Sequence, residues 1–244
     1  MDKQLIFQHY SNILDNLLKQ PFFQVYFQYP YSINEGIERK NLLIKCGATR
    51  GCLIDLNYDY VVKYDIDEGY SDREIEIYEA AEDAGLGEYF AASCYLGTYR
   101  KTIKTYDYKE IEDNFNWYDE DEFYEELSKI KDELEQYTIV VEIPLYAYEK
   151  ASDYCNSWQY HYSQQSEREA KHSSGPLRER NLMVAAMFIE NYGFAAYEDL
   201  NNFLLEYGVN DIHCANVGII NDRVCLIDYA GFNDKNEDSS ISSF

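Results

Sequence analysis

Apolar residues recur every third or fourth position over residues 3–19, "KQLIFQHYSNILDNLLK", with Leu5, Ile6, His9, Ile13 and Leu17 near one face. That period predicts an amphipathic helix. Residues 42–65, "LLIKCGATRGCLIDLNYDYVVKYD", switch to short β-branched runs and predict three strands with turns at residues 47–51 and 57–59. Residues 71–84, "SDREIEIYEAAEDA", return to a helical period. Ser71 is positioned as the N-cap and Glu74 as its capping-box partner. "FAASCYLGTYRK" then reads as a strand or a pair of strands.

Residues 105–136 form an acidic block in which Phe123, Leu127, Ile130 and Leu134 keep helical spacing. We read it as an acidic insertion with a solvated charged face, or alternatively as a partner-binding element. "YTIVVEIPL", residues 137–145, predicts a strand that Pro144 stops. Beyond it the pattern is helical. "LRERNLMVAAMFIENYG" predicts a helix ended by Gly193, and "AAYEDLNNFLLEYG" another ended by Gly208. "VCLIDYA" predicts a last strand, and the tail from residue 233 reads as frayed.

Charge narrows the classes of function. The 244 residues carry a net charge of −24, which opposes nucleic acid and anionic membrane surfaces alike. We therefore expect no direct nucleic-acid binding and no membrane association. A basic protein partner, engaged through residues 105–136, fits the charge instead. No apolar run approaches the roughly 20 residues of a membrane span, and "MDKQLIFQHY" lacks the apolar region of a secretory signal. A cytoplasmic location is the expectation. The six cysteines form no C-x-x-C pair and the four histidines are dispersed, so free thiols and no zinc site are expected.

One stretch concentrates chemistry. "NDIHCANVGIINDRVCLIDYAGF", residues 210–232, sets Asp211 and Asn216 before a strand that ends in Asp228. Phosphoryl transfer needs few protein groups: a carboxylate at the acceptor hydroxyl, hard oxygen ligands for magnesium, and a lysine on the phosphates held by a glutamate. "NDIHCAN" resembles the catalytic loop of the protein-kinase-like superfamily, closest in style to its aminoglycoside and choline kinase branch. "LIDYAGF" resembles the magnesium-binding region of that superfamily. "YVVKYDI" resembles the strand that carries the phosphate-binding lysine, here Lys63, and "SDREIEIYEAAEDAGL" the helix that supplies its glutamate, Glu74 or, failing that, Glu76. "VVEIPLYAYEKA" fits the strand that enters the hinge. Order and spacing agree over residues 42–232, and compact kinase-like proteins of bacteria and their phages share this layout.

The resemblance implies an α+β, two-lobed protein-kinase-like fold with a β-rich N-lobe and a shortened helical C-lobe. The expected parts are a helical extension (residues 1–40), the N-lobe (41–147) and the C-lobe (148–244). It implies ATP and Mg2+ in a cleft between the lobes. Asp211 would be the base or orienting group, Asn216 and Asp228 the metal ligands, and Lys63 with Glu74 the phosphate anchor. Gly47, Thr49 and Gly51 would approach the phosphates, and adenine would lie near residues 148–150, including Glu149. His213 would brace the loop as a hydrogen-bond donor.

The sequence also departs from the pattern. There is no G-x-G-x-x-G, only "CGATRG", and Val209-Asn210 replaces the usual His-Arg. Sixteen residues follow Asp228, so the helical lobe must come from residues 150–207, with no peptide-docking platform. Two functions follow. One is a small kinase that phosphorylates a protein or small-molecule hydroxyl. The other is a pseudokinase-type regulatory protein acting through its acidic surface, including a phage-encoded inhibitor that mimics nucleic acid.

Overall fold

A computed structural model describes residues 2–28, 37–46, 49–66, 69–108, 120–154, 162–180 and 182–230. The chain is a mixed α+β protein of two compact units, residues 1–71 with 94–148, and residues 72–93 with 149–244. No helix among the described residues is long and apolar enough to cross a membrane.

In the first unit, helix α1 (Lys3–Leu17) is capped by Asp2, whose carboxylate accepts from Leu5 N–H at 3.2 Å. It buries Ile6, Tyr10, Leu14 and Leu17, the stripe that its 3–4 spacing demands. Helix α2 is Pro21–Gln28. Strands β1 (Ile37–Arg39), β2 (Leu42–Cys46), β3 (Arg50–Asp55), β4 (Tyr60–Asp65), β5 (Ser93–Tyr106) and β6 (Gln136–Glu149) form one sheet in the order β1-β2-β3-β4-β6-β5. β1 to β4 pair antiparallel in succession. The core joins both helices to the sheet through Phe22, Phe23, Tyr26, Ile44, Leu53, Val62 and Leu145.

Two expectations change here. Residues 3–28 are part of the first unit rather than a separate extension, because their buried apolar residues share one core with the sheet residues Ile44, Leu53, Val62 and Leu145. The acidic block holds the helix that its spacing predicts: α4 (Glu120–Ile130) buries Phe123 and Leu127 in the same core, and residues 109–119 lie outside the described residues. Pro144 does not stop β6. The strand continues to Glu149 because burial of Leu145, Tyr146, Ala147 and Tyr148 outweighs one missing N–H donor.

The second unit holds helices α3 (Tyr70–Asp83, from Asp72 onward), α5 (Gln164–His172), α6 (Pro176–Arg180), α7 (Leu182–Tyr192) and α8 (Phe194–Glu206). Gly193 and Gly208 take positive φ, 84° and 63°, at the ends of α7 and α8, as their sequence positions predict. A small sheet runs β7 (Asp153–Tyr154), β8 (Val217–Ile220), β9 (Arg223–Leu226). Its core gathers Val184, Phe188, Leu200, Leu204, Ile212, Val217 and Leu226. The sequence places the helix of residues 71–84 in the first lobe. Its Ile77 and Ala81 are buried in the second core, so it belongs there from residue 72 onward.

Candidate active site

The loop between α8 and β8 is pinned by two apolar anchors, Val209 and Ile212, both buried. Asn210 and Asp211 lie between them and stay half-buried. The main chain is then shaped by its own polar groups. Val209 N–H donates to Leu204 O at 2.8 Å, and Asn216 N–H donates to His213 O at 2.9 Å. His213 braces a short turn over Cys214–Asn216, but as an acceptor: Ala215 N–H donates to its Nδ1 at 3.2 Å. That bond engages Nδ1 alone and leaves Nε2 as the ring nitrogen that can donate.

Asn216 closes the loop. Its Nδ2 donates to Asp211 O at 2.6 Å, which fixes the amide orientation and leaves Oδ1 as the side-chain acceptor. The next residues start a hairpin. β8 and β9 pair antiparallel with Val217 opposite Leu226 and Ile220 opposite Arg223. The sequence reading gave this stretch one strand at its end. The structure has two, joined by Asn221-Asp222 at φ 51° and 62°, the left-handed pair that a tight two-residue hairpin turn needs. The register places Ile227 beside Asn216, where Ile227 N–H donates to Asn216 O at 2.9 Å. Asp228 is the next residue, so Asn216 and Asp228 share one end of the hairpin.

Helix α3 supports both flanks of this end. Glu74 is fully buried, and its Oε1 accepts from Tyr229 N–H at 2.6 Å and Ala230 N–H at 3.3 Å. These bonds fix the backbone immediately after Asp228. Arg73 donates from Nη2 to Tyr207 O at 3.0 Å and Gly208 O at 3.3 Å, immediately before the 209–216 loop. The capping box drawn from the sequence is therefore not what forms. Asp65 takes that role, accepting from Ser71 N–H at 3.0 Å and from Ser71 Oγ. Ser71 lies inside the helix, and Glu74 serves the Tyr229–Ala230 backbone instead. Glu76, the fallback, is exposed.

The candidates of the first unit sit differently. Lys63 is buried in β4, opposite Cys52 of β3, with its ammonium 4.1 Å from the Tyr148 ring centroid. Thr49 O accepts from Ile66 N–H at 2.8 Å. Gly51 is buried against the Tyr64 ring, and a Cβ there would fall 2.0 Å from Tyr64 Cζ, so ring packing by itself demands glycine. Gly47 lies outside the described residues. Of the residues expected near adenine, Tyr148 is 1% exposed, which leaves no free ring face for a base. Glu149 is half-buried in the second unit, where its N–H donates to Ala92 O at 2.9 Å.

Thus Asp211, Asn216, Asp228 and Glu74 come together in the second unit, while Lys63, Thr49 and Gly51 belong to the first. Among the described residues no three His, Cys, Asp or Glu side chains cluster as metal ligands. The donor pair at the hairpin end is one carboxylate and one amide oxygen. Such hard oxygens fit magnesium, which completes its shell with water and phosphate. Burial pushes the Cys225 thiol of β9 up to about 11, so it stays protonated near neutral pH. Sequence reasoning missed Arg73, and it named Tyr148 only as a neighbour of adenine. An arginine in an acidic helix and a tyrosine in a β-branched strand carry no signal of their own. Comparison with family models, with curated proteins and with solved structures finds no match to this chain.

Proposed function

We propose that this protein binds a magnesium nucleotide and transfers its terminal phosphoryl group to a hydroxyl. The observation that carries the reading is the bond from Asn216 Nδ2 to Asp211 O, combined with the β8–β9 register that sets Asn216 beside the strand end leading to Asp228. Asn216 Oδ1 and the Asp228 carboxylate would hold magnesium. When bound, magnesium supplies charge neutralisation on the phosphates. The Asp211 carboxylate would orient the acceptor hydroxyl and take its proton. The hydroxyl oxygen forms the new bond to the terminal phosphorus as the bond to the leaving nucleoside diphosphate breaks. Glu74 supports the metal side by holding the Tyr229 and Ala230 amides.

Calorimetric titration with ATP, with and without magnesium, tests the reading. The expected result is magnesium-dependent binding that Asp228→Ala abolishes. Asp211→Asn is expected to keep binding while turnover falls by at least about a hundredfold, the usual scale for a lost base. Absence of binding at millimolar ATP would overturn the proposal and turn attention to a regulatory protein on this scaffold.

A further inference from the structure

Asp228 lies in a short span, Leu226 to Tyr229, whose two ends are tied to the same buried residue, Ala91. At the near end Phe90 bridges Leu226 in parallel register, and Ala91 N–H donates to Leu226 O at 2.7 Å. At the far end the Tyr229 hydroxyl donates to Ala91 O at 3.0 Å. That donation uses the hydroxyl's one hydrogen, so Ser93 Oγ, 2.9 Å away, is the donor in its own bond to Tyr229 Oη. The Tyr229 ring meets Phe90 edge to face, with centroids 5.0 Å apart. Tyr229 is 1% exposed, and Glu74 accepts from its N–H, so it is held at backbone, ring and hydroxyl together. All of these residues belong to the second unit.

We propose that Tyr229 is the positioning residue of Asp228, and that its hydroxyl fixes the course of the span that carries the Asp228 carboxylate. A ring packed on apolar neighbours tolerates small shifts, whereas a hydroxyl that both donates and accepts has one favoured place. Turning the peptide between Asp228 and Tyr229 would break the bond to Glu74 and draw the hydroxyl off Ala91 O. Buried polar groups would then be orphaned, so the span has a single low-energy course. A carboxylate held on such a course needs little ordering when a cation binds it. That the cation is magnesium on a nucleotide rests on the reading above, whereas the clamp on the span does not.

Two measurements separate the layers, with Tyr197→Phe as the matched control. That variant removes a buried hydroxyl bonded to Ser173 Oγ at 2.8 Å, elsewhere in the same core. In the metal-free protein, the Tyr229 and Ala230 amide sites should exchange with deuterium about tenfold faster in Tyr229→Phe than in the control, the scale of a lost buried bond. Magnesium-ATP titration should give a Kd raised about tenfold in Tyr229→Phe and within about twofold of native in the control. Ser93→Ala keeps the tyrosine and removes only the incoming bond. It should show both effects at about threefold, and it decides the matter if Tyr229→Phe does not fold. Exchange at residues 229 and 230 no faster than in the control overturns the proposal. Faster exchange with an unchanged Kd, in a protein whose magnesium-ATP binding is lost in Asp228→Ala, also overturns it, because the hydroxyl would then serve the fold and not Asp228. Faster exchange in a protein that binds no magnesium-ATP upholds the clamp and overturns the nucleotide reading alone.

Discussion

The two units hold their candidate residues by different means. In the second unit the polar candidates are tied by main-chain groups: Asn216 to the Asp211 carbonyl, Ile227 to the Asn216 carbonyl, Glu74 to two amides. In the first unit they are set by rings: Lys63 over Tyr148, and Gly51 under Tyr64. Hydrogen bonds to the backbone fix direction as well as distance, and losing one leaves an orphaned buried group. Ring contacts fix volume and tolerate small shifts, but they fail steeply when an atom is added. The comparison teaches that deletion should damage the second unit most and insertion the first.

The strongest break of that comparison is Glu74→Ala. It strips the acceptor from the Tyr229 and Ala230 amides, both buried with their residues. Each orphaned donor costs about 1–3 kcal/mol, so we expect a loss of about 3 kcal/mol in urea unfolding. Glu74→Gln keeps an oxygen at the same place and should lose less than about half as much. Equal losses for the two variants would mean that charge, not acceptance from the backbone, is what Glu74 supplies.

The matching insertion is Gly51→Ala. The new Cβ would meet the Tyr64 ring at Cζ, Oη and Cε2. That ring is itself 3% exposed and packs on Phe27 with centroids 5.5 Å apart, so it has little room to yield. Overpacking of this kind costs about 1–3 kcal/mol. The loss should shrink in a Tyr64→Leu background, and a double-mutant cycle measures the coupling. Additive losses would mean that the glycine is demanded by something other than the ring.

The same contrast explains which features were readable beforehand. Regular period and backbone chemistry are written locally. The stripe Ile6, Tyr10, Leu14, Leu17 follows from spacing, and the loop from Asp211 to Asn216 stood out because amide and carboxylate side chains compete for nearby backbone. The Asn221-Asp222 turn was equally legible, since that dipeptide accepts positive φ, yet a single strand was drawn through its region. What stayed hidden depends on partners distant in sequence. Nothing near residue 51 announces Tyr64, and nothing near Lys63 announces Tyr148. The allegiance of α3 turns on Ile77 and Ala81 joining the second unit's core and on Glu74 meeting Tyr229, 155 positions away. Pro144 misled for a related reason: a local rule against strands was overruled by the burial of the four residues after it.

The smallest effect sharpens the comparison within the second unit. Glu190, near the end of α7, accepts from Ser166 Oγ at 2.6 Å and from Ser163 N–H at 2.9 Å, at the start of α5. The Ser166 bond first, then those from Ser163, hold its carboxyl below the ordinary value of 4.5. A carboxylate with a lowered folded-state pKa stabilises the fold above its unfolded value. That contribution fades as pH falls through 4.5 toward the folded value, where protons bind to both states. Glu190→Gln should therefore cost stability at pH 7, by about 0.5 kcal/mol for a solvent-exposed carboxylate at a helix start. The gap between native and variant should narrow steadily below pH 4.5 and close in stronger acid, as read from urea midpoints across the pH series. A gap that persisted in acid would mean that Glu190 acts by packing its stem. One that widened would reverse the sign of the linkage and remove Glu190 from the set of backbone-directed anchors.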